Sequence, residues 1–153
     1  MAMTETSVRK SVTVDVPVDR AFQVFTDQMD DWWIREHHIG SAELGKVVLE
    51  PRAGGRWYEI GVDGSECDWG RVLDWEPPDR VVMGWQISAQ WQYDPEFLTR
   101  VEVRFVAVGP DRTRVELEHS DLDRFGDSAD QMRSDLGSEG GWQRLLECFA
   151  AAV

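Results

Sequence analysis

Between residues 98 and 119 apolar and polar side chains alternate on both sides of a turn. Val101, Val103, Phe105 and Ala107 fall on one face against Glu102 and Arg104. After Gly109-Pro110-Asp111, Val115 and Leu117 fall against Arg114, Glu116 and Glu118. Successive side chains of a strand point to opposite faces, so this pattern requires an antiparallel sheet with one buried face and one wet face. Such a sheet needs a cover. The end of the chain supplies one: Trp142, Leu145, Leu146, Phe149 and Val153 recur at helical spacing and form a single apolar stripe.

The remaining segments fit the same plan. Val8, Lys10, Val12, Val14 and Val16 alternate with polar residues as a half-buried strand that Pro17 stops. Val18, Ala21, Phe22 and Phe25 then share a helical face, and Asp30-Asp31-Trp32-Trp33 suits a second short helix before a loop at 35–43. Strands are predicted at 46–50, 56–62, 66–75, 80–88, 98–108 and 112–119. Asp63-Gly64 forms one hairpin turn, because both residues tolerate positive φ. Residues 90–96 read as a loop and 128–136 as a helix preceding the last one. The expected fold class is α+β: a curved seven-stranded antiparallel sheet gripping a C-terminal helix, with two short helices after the first strand. Residues 7–153 are read as one domain and residues 1–6 as a disordered terminus. A helix laid in the concavity of a twisted sheet touches it unevenly and leaves a pocket.

Charge narrows the choice of partner. The 153 residues include 16 basic and 29 acidic side chains, for a net charge of −13. Such a surface repels phosphate backbones and anionic lipid, so neither nucleic acid nor a membrane is an expected partner. No apolar run approaches the roughly 20 residues of a membrane span, and residues 1–10 lack a signal-peptide core, so a cytoplasmic location is expected. Cys67 and Cys148 are too few for a disulfide framework and are expected to be free thiols. Glu36, His37 and His38 resemble a metal cluster, but adjacent residues point apart on regular elements and no second ligand pair accompanies them. No phosphate-cradling G-x-G-x-x-G, Walker loop or G-x-S-x-G occurs, and neither a metal nor a cofactor is expected.

The compositional oddity is eight tryptophans. Indole combines a large apolar surface with one N–H donor, which suits a core or a ligand pocket. Trp57, Trp69, Trp85 and Trp142 are the expected pocket residues, three on mid-sheet strands and one on the gripping helix. Parity then adds polar groups. If Trp57 faces inward so does Glu59, if Trp69 does so does Arg71, and His119 follows Val115 and Leu117. Buried charges must be paired, so a Glu59–Arg71 or Glu59–His119 contact is expected. In the opposite register Tyr58 and Ile60 face inward and Glu59 is solvated, and a bulge near Gly70 would reverse one assignment.

Several segments, in order, resemble a known family: Gly55-Arg56-Trp57-Tyr58-Glu59, Asp63-Gly64-Ser65-Glu66, Trp69-Gly70-Arg71-Val72 and Trp75-Glu76-Pro77-Pro78-Asp79-Arg80. Val101-Glu102-Val103-Arg104-Phe105, the run Thr113 to His119 and Gly141-Trp142 extend the likeness over about residues 8–152. The set resembles bacterial relatives of the activator of heat-shock protein 90 ATPase, within the START-like (SRPBCC) superfamily. The resemblance implies a helix-grip (START/Bet v-like) fold and no single activity, since the superfamily includes binders of lipids, hormones and polyketides, cyclases and oxygenase subunits.

The leading expectation is a binder of a small, largely apolar ligand, aromatic or lipid-like. Its site residues would be Trp57, Glu59, Trp69, Arg71, Trp85, Phe105, His119 and Trp142. One alternative is an enzyme of the cyclase, dehydratase or hydrolase type with Glu59 or His119 as general base. Another is a chaperone co-regulator or other protein-interaction module, suggested by the family name alone. A monomer and a homodimer are both compatible with the sequence.

Overall fold

The alternating segments form strands β1 (Val8–Val14), β2 (Leu44–Leu49), β3 (Arg56–Gly61), β4 (Glu66–Glu76), β5 (Arg80–Trp85), β6 (Thr99–Gly109) and β7 (Arg112–Ser120) in a computed structural model. The structure describes residues 7–153, and the terminal segment 1–6, expected to be disordered, lies outside the described residues. Helices α1 (Val18–Thr26) and α2 (Met29–Trp32) follow β1. A 3₁₀ segment (Leu122–Ser128) leads into α3 (Ala129–Gly137) and then α4 (Trp142–Ala152). Most predicted bounds shift by one or two residues. The strand expected to reach residue 88 ends at Trp85, with only an isolated bridge between Ile87 and Tyr93 beyond it.

The sheet order is β1-β7-β6-β5-β4-β3-β2, antiparallel throughout. The first strand therefore pairs with the last, and α1 and α2 carry the chain across to the opposite edge. The sheet curls, and α4 packs along β1 and α2 in its concavity. This is the helix-grip architecture expected from the element order. Among the described residues no helix is long and apolar enough to cross a membrane.

The interior divides into two parts. Under α1, the rings of Phe22, Phe25, Phe105 and Phe149 meet edge to face at centroid separations of 5.1 to 5.7 Å. Phe105, expected at the cavity, is packed among these rings at 3% exposure. Indoles crowd the other part, around β3, β4, β5 and the start of α4.

Parity holds on β3, where Trp57, Glu59 and Gly61 are buried in alternation with half-buried residues. It breaks on β4. Trp57 pairs with Gly70 but Tyr58 pairs with Asp68, so Trp69 is an extra residue, a β-bulge. Trp69 and Gly70 are both buried, Arg71 is exposed and Val72 is buried. Arg71 therefore does not share the face of Trp69, and the expected Glu59–Arg71 contact is absent. At the bulge the backbones crowd: a Cβ on Gly70 would lie 1.7 Å from the carbonyl oxygen of Gly84. Gly70→Ala is expected to cost about 2 kcal/mol of stability through forced strand separation. Urea unfolding checks this, and an unchanged midpoint would contradict the close approach.

Candidate functional site

Where α4 starts, the sheet and helix do not close on each other, and a cavity of about 420 Å³ remains. Its walls include the indoles of Trp33, Trp69, Trp85, Trp91 and Trp142. The volume lies within the roughly 300–1,000 Å³ usual for small-molecule sites. Ile39, Ile87, Leu136 and Leu145 add aliphatic surface, and Glu36, His37, His38, Asp135 and Ser138 supply the polar side chains.

The indole N–H groups are largely spent inside the protein. Trp33 donates to the carbonyl of His37 (2.8 Å), Trp85 to that of Ile87 (3.0 Å) and Trp69 to Glu59 (2.8 Å). Trp142 donates to Nδ1 of His119 at 3.1 Å. These four present ring surface, not donors, to the cavity. Trp91 differs, being 43% exposed at the mouth with φ +60°. A bulky side chain in the left-handed region carries local strain, a state that recurs at ligand-contacting positions. The turn that holds it is closed by Trp91 N–H on the Ser88 carbonyl (2.9 Å) and Ser88 N–H on the Gln92 carbonyl (2.8 Å).

Glu59 is 1% exposed and takes neither expected partner. Its Oε1 accepts from the backbone N–H of Ile39 (2.7 Å), that of Gly40 (3.1 Å) and the Trp69 indole. Its Oε2 lies 3.8 Å from Nδ1 of His38. A Cβ on residue 40 would fall 2.9 Å from Oε2, so glycine there admits the carboxylate. Glu59 thus ties the cavity-bordering loop to the sheet and fixes the Trp69 ring, but does not itself border the cavity.

His119 is wholly buried between Thr99 and Trp142. Because Nδ1 accepts from Trp142, the hydrogen sits on Nε2 and is donated to Thr99 Oγ1, 2.8 Å away. Burial pushes its pKa down to about 3. With its basic nitrogen occupied and no contact with the cavity, His119 is a structural polar anchor and not a proton acceptor for a bound molecule. Trp57 is fully buried with no partner for its Nε1–H, enclosed by the rings of Trp33, Trp69 and Trp85.

Of the eight residues expected to bind ligand, Trp69, Trp85 and Trp142 border the cavity; Trp57, Glu59, Phe105 and His119 lie behind its wall, and Arg71 faces outward. Sequence reasoning missed Trp33, Trp91 and the 36–39 loop. Their sequence signals are the tryptophan count and the Glu36-His37-His38 triplet, whose spacing does not suit a metal. Among the described residues no group of three His, Cys, Asp or Glu is placed to hold a metal. His37 is held below the ordinary imidazole value, by burial first and the Arg144 guanidinium second. Cys67 and Cys148 are free.

Comparison with known proteins agrees with this architecture. The sequence matches the family described as Activator of Hsp90 ATPase homolog 1-like protein over residues 15–153. No curated protein matches it. Among solved structures it is similar to an anthrahydroquino-γ-pyrone synthase, Txn09, complexed with SUM: 41% identity, 96% of each chain covered, TM-score 0.68. It is also similar to the self-sacrificing resistance protein CalC from Micromonospora echinospora, at 34% identity over 97% of this chain and 94% of that one, TM-score 0.69. CalU16 from the same organism shares the fold at 24% identity over 95% of this chain and 73% of that one, TM-score 0.63. The helix-grip sheet, the cavity at the start of α4 and a family match across nearly all the described residues lead to one assignment: the chain belongs to the Activator of Hsp90 ATPase homolog 1-like family of START-like proteins.

Proposed function

We propose that the protein binds a small, flat, fused-ring aromatic molecule in the tryptophan-lined cavity. The observation that carries this reading is the set of five indoles around about 420 Å³, four of which have their N–H groups turned to protein acceptors. Such walls offer offset and edge-to-face ring contacts, worth about 0.5–1.5 kcal/mol each beyond area burial. An aliphatic chain gains the burial but not the ring contacts, so the aromatic half of the expected ligand class is favoured over the lipid-like half. The name of the 41% identical relative, an anthrahydroquino-γ-pyrone synthase, points to the same chemistry.

Tryptophan emission titrated with 1,8-dihydroxyanthraquinone should quench saturably. Trp91→Gly should weaken that binding by about tenfold, equivalent to ~1.4 kcal/mol, without loss of thermal stability, because glycine relieves the positive φ. Absence of saturable quenching, or a Trp91→Gly protein that binds as well as the wild type, would remove this reading.

A second reading, that the bound ring system is also transformed, is favoured by the word synthase in that relative's name. It is tested with a hydroxyanthraquinone carrying a 1,3-diketone beside a phenol. Closure to the fused pyrone joins the phenol oxygen to a carbonyl carbon and releases water, which mass spectrometry detects. No conversion above the uncatalysed rate would leave binding alone.

A further inference from the structure

The polar lining of the cavity is lopsided. Ser138 spends its hydroxyl hydrogen on the carbonyl of Asp135 at 2.7 Å, and the four buried indole donors are committed elsewhere. Apart from the Trp91 indole N–H at the mouth, the side chains that remain offer acceptors: the carboxylates of Glu36 and Asp135, and one ring nitrogen each of neutral His37 and His38. A cavity of this kind complements a ring system that carries hydroxyl groups, because a donor on the ligand meets an acceptor on the wall.

His38 is the imidazole whose orientation the structure defines. Its Nδ1 lies 3.0 Å from the carbonyl oxygen of Gly40, an atom that can only accept, so in the neutral ring the hydrogen is on Nδ1. Nε2 then carries the lone pair. Among the described residues it has no hydrogen-bond partner, and it is not among their buried unpaired atoms, so it remains accessible. Behind the ring, Oε2 of Glu59 stands 3.8 Å from Nδ1, in a carboxylate fixed by three N–H donors on its other oxygen. A buried carboxylate on one side of an imidazole and an accessible lone pair on the other form an arrangement suited to accepting a proton.

We infer that His38 takes the proton of a phenolic hydroxyl on the bound aromatic molecule, with Glu59 as its positioning residue. The inference rests on the aromatic-binding reading above. In the step, the ligand O–H bond breaks and its electron pair stays on oxygen, while an N–H bond forms at Nε2. The resulting imidazolium keeps its Nδ1–H on the Gly40 carbonyl and faces the Glu59 carboxylate. Glu36 and His37 from the same loop and Asp135 from α3 are the other titratable groups of the cavity. The phenolate left on the ligand is the nucleophile that a ring closure requires. The net charge of −13 by itself opposes formation of an anion in the cavity. A bound phenol that ionises more readily than a free one therefore reports a local cause.

The test is an absorbance titration of 1,8-dihydroxyanthraquinone, whose phenolate absorbs at longer wavelength, free and bound to the full chain. Bound to the wild type, its first ionisation is expected at a pH about one unit lower than in solution, a tenfold gain. His38→Gln, which keeps an amide donor for the Gly40 carbonyl but cannot take a proton, should abolish the shift when the ligand is held at a concentration that saturates the quenching of each protein. Glu59→Gln should reduce the shift, read alongside its circular dichroism so that misfolding is not mistaken for the effect. Persistent quenching with the same ionisation in wild type and His38→Gln overturns the inference and leaves the binding reading intact. No quenching in the wild type overturns the binding reading and this one with it.

Discussion

Replacing Trp142 with alanine is expected to remove about 4 kcal/mol of unfolding free energy, the middle of the range for large aromatic truncations in a core. Trp142 is 1% exposed and is the first residue of α4, wedged between Trp33 (6.2 Å), Trp85 (5.9 Å) and His119 (6.0 Å). Two losses combine. The indole volume disappears from the wall of the cavity, where fewer side chains stand close enough to collapse into the gap than in a closed core. Nδ1 of His119 also loses its donor, which leaves a buried acceptor unpaired. Trp142→Phe separates the two, because it keeps most of the ring but not the N–H, and should cost about half as much. Urea denaturation measures both free energies, and in thermal unfolding the alanine variant is expected to lose about 10 °C in Tm. A loss below about 1 kcal/mol would mean that the start of α4 does not hold the cavity wall in place.

Acidification is the second large effect, and it acts through His119. Burial lowers its pKa from 6.5 to about 3, and in the unfolded chain the imidazole returns to its ordinary value. Between those values the unfolded state binds the extra proton, so stability is intact above about pH 6.5 and declines as the pH falls toward 3. The loss amounts to roughly 2 kcal/mol by about pH 5. His37, lowered by its burial and by Arg144, adds in the same sense. Partial neutralisation of the −13 net charge works in the opposite direction, so the informative quantity is a difference between variants. His119→Asn should be less stable than the wild type near pH 8, and the gap should narrow by roughly 2 kcal/mol near pH 5. A gap that stays constant across that range would show that His119 is not held neutral in the fold.

These two residues also illustrate what a sequence can and cannot specify. The burial of His119 follows from simple alternation, because β7 pairs with β6 in unbroken register from Ser120 to Thr113. Its partners were not legible: Thr99 is 20 residues away and Trp142 is 23, and only the packed fold brings them to the ring. Glu59 behaves the same way. Parity with Trp57 placed it inside, but the donors that compensate its charge are two backbone amides of a loop 19 and 20 residues earlier, together with the Trp69 indole. Arg71 was misplaced because one inserted residue, Trp69, resets the alternation, and nothing in the local pattern marks a bulge except the glycine beside it.

The cavity itself was predicted in kind and misdrawn in detail. Trp85 and Trp142 were found because a strand and a helix have a period that points their side chains. Trp91 and His38 were missed because they stand on irregular backbone, which has no period to read.

The tryptophan-bearing sheet and its covering helix were thus determined by the sequence alone, since side-chain direction along a regular element is a local, covalent property of the backbone. Which of the buried groups face the cavity was decided only by the tertiary structure. That depends on where α4, the 36–39 loop and the turn at Trp91 stop short of the sheet, and such gaps are set by contacts between residues far apart in the chain.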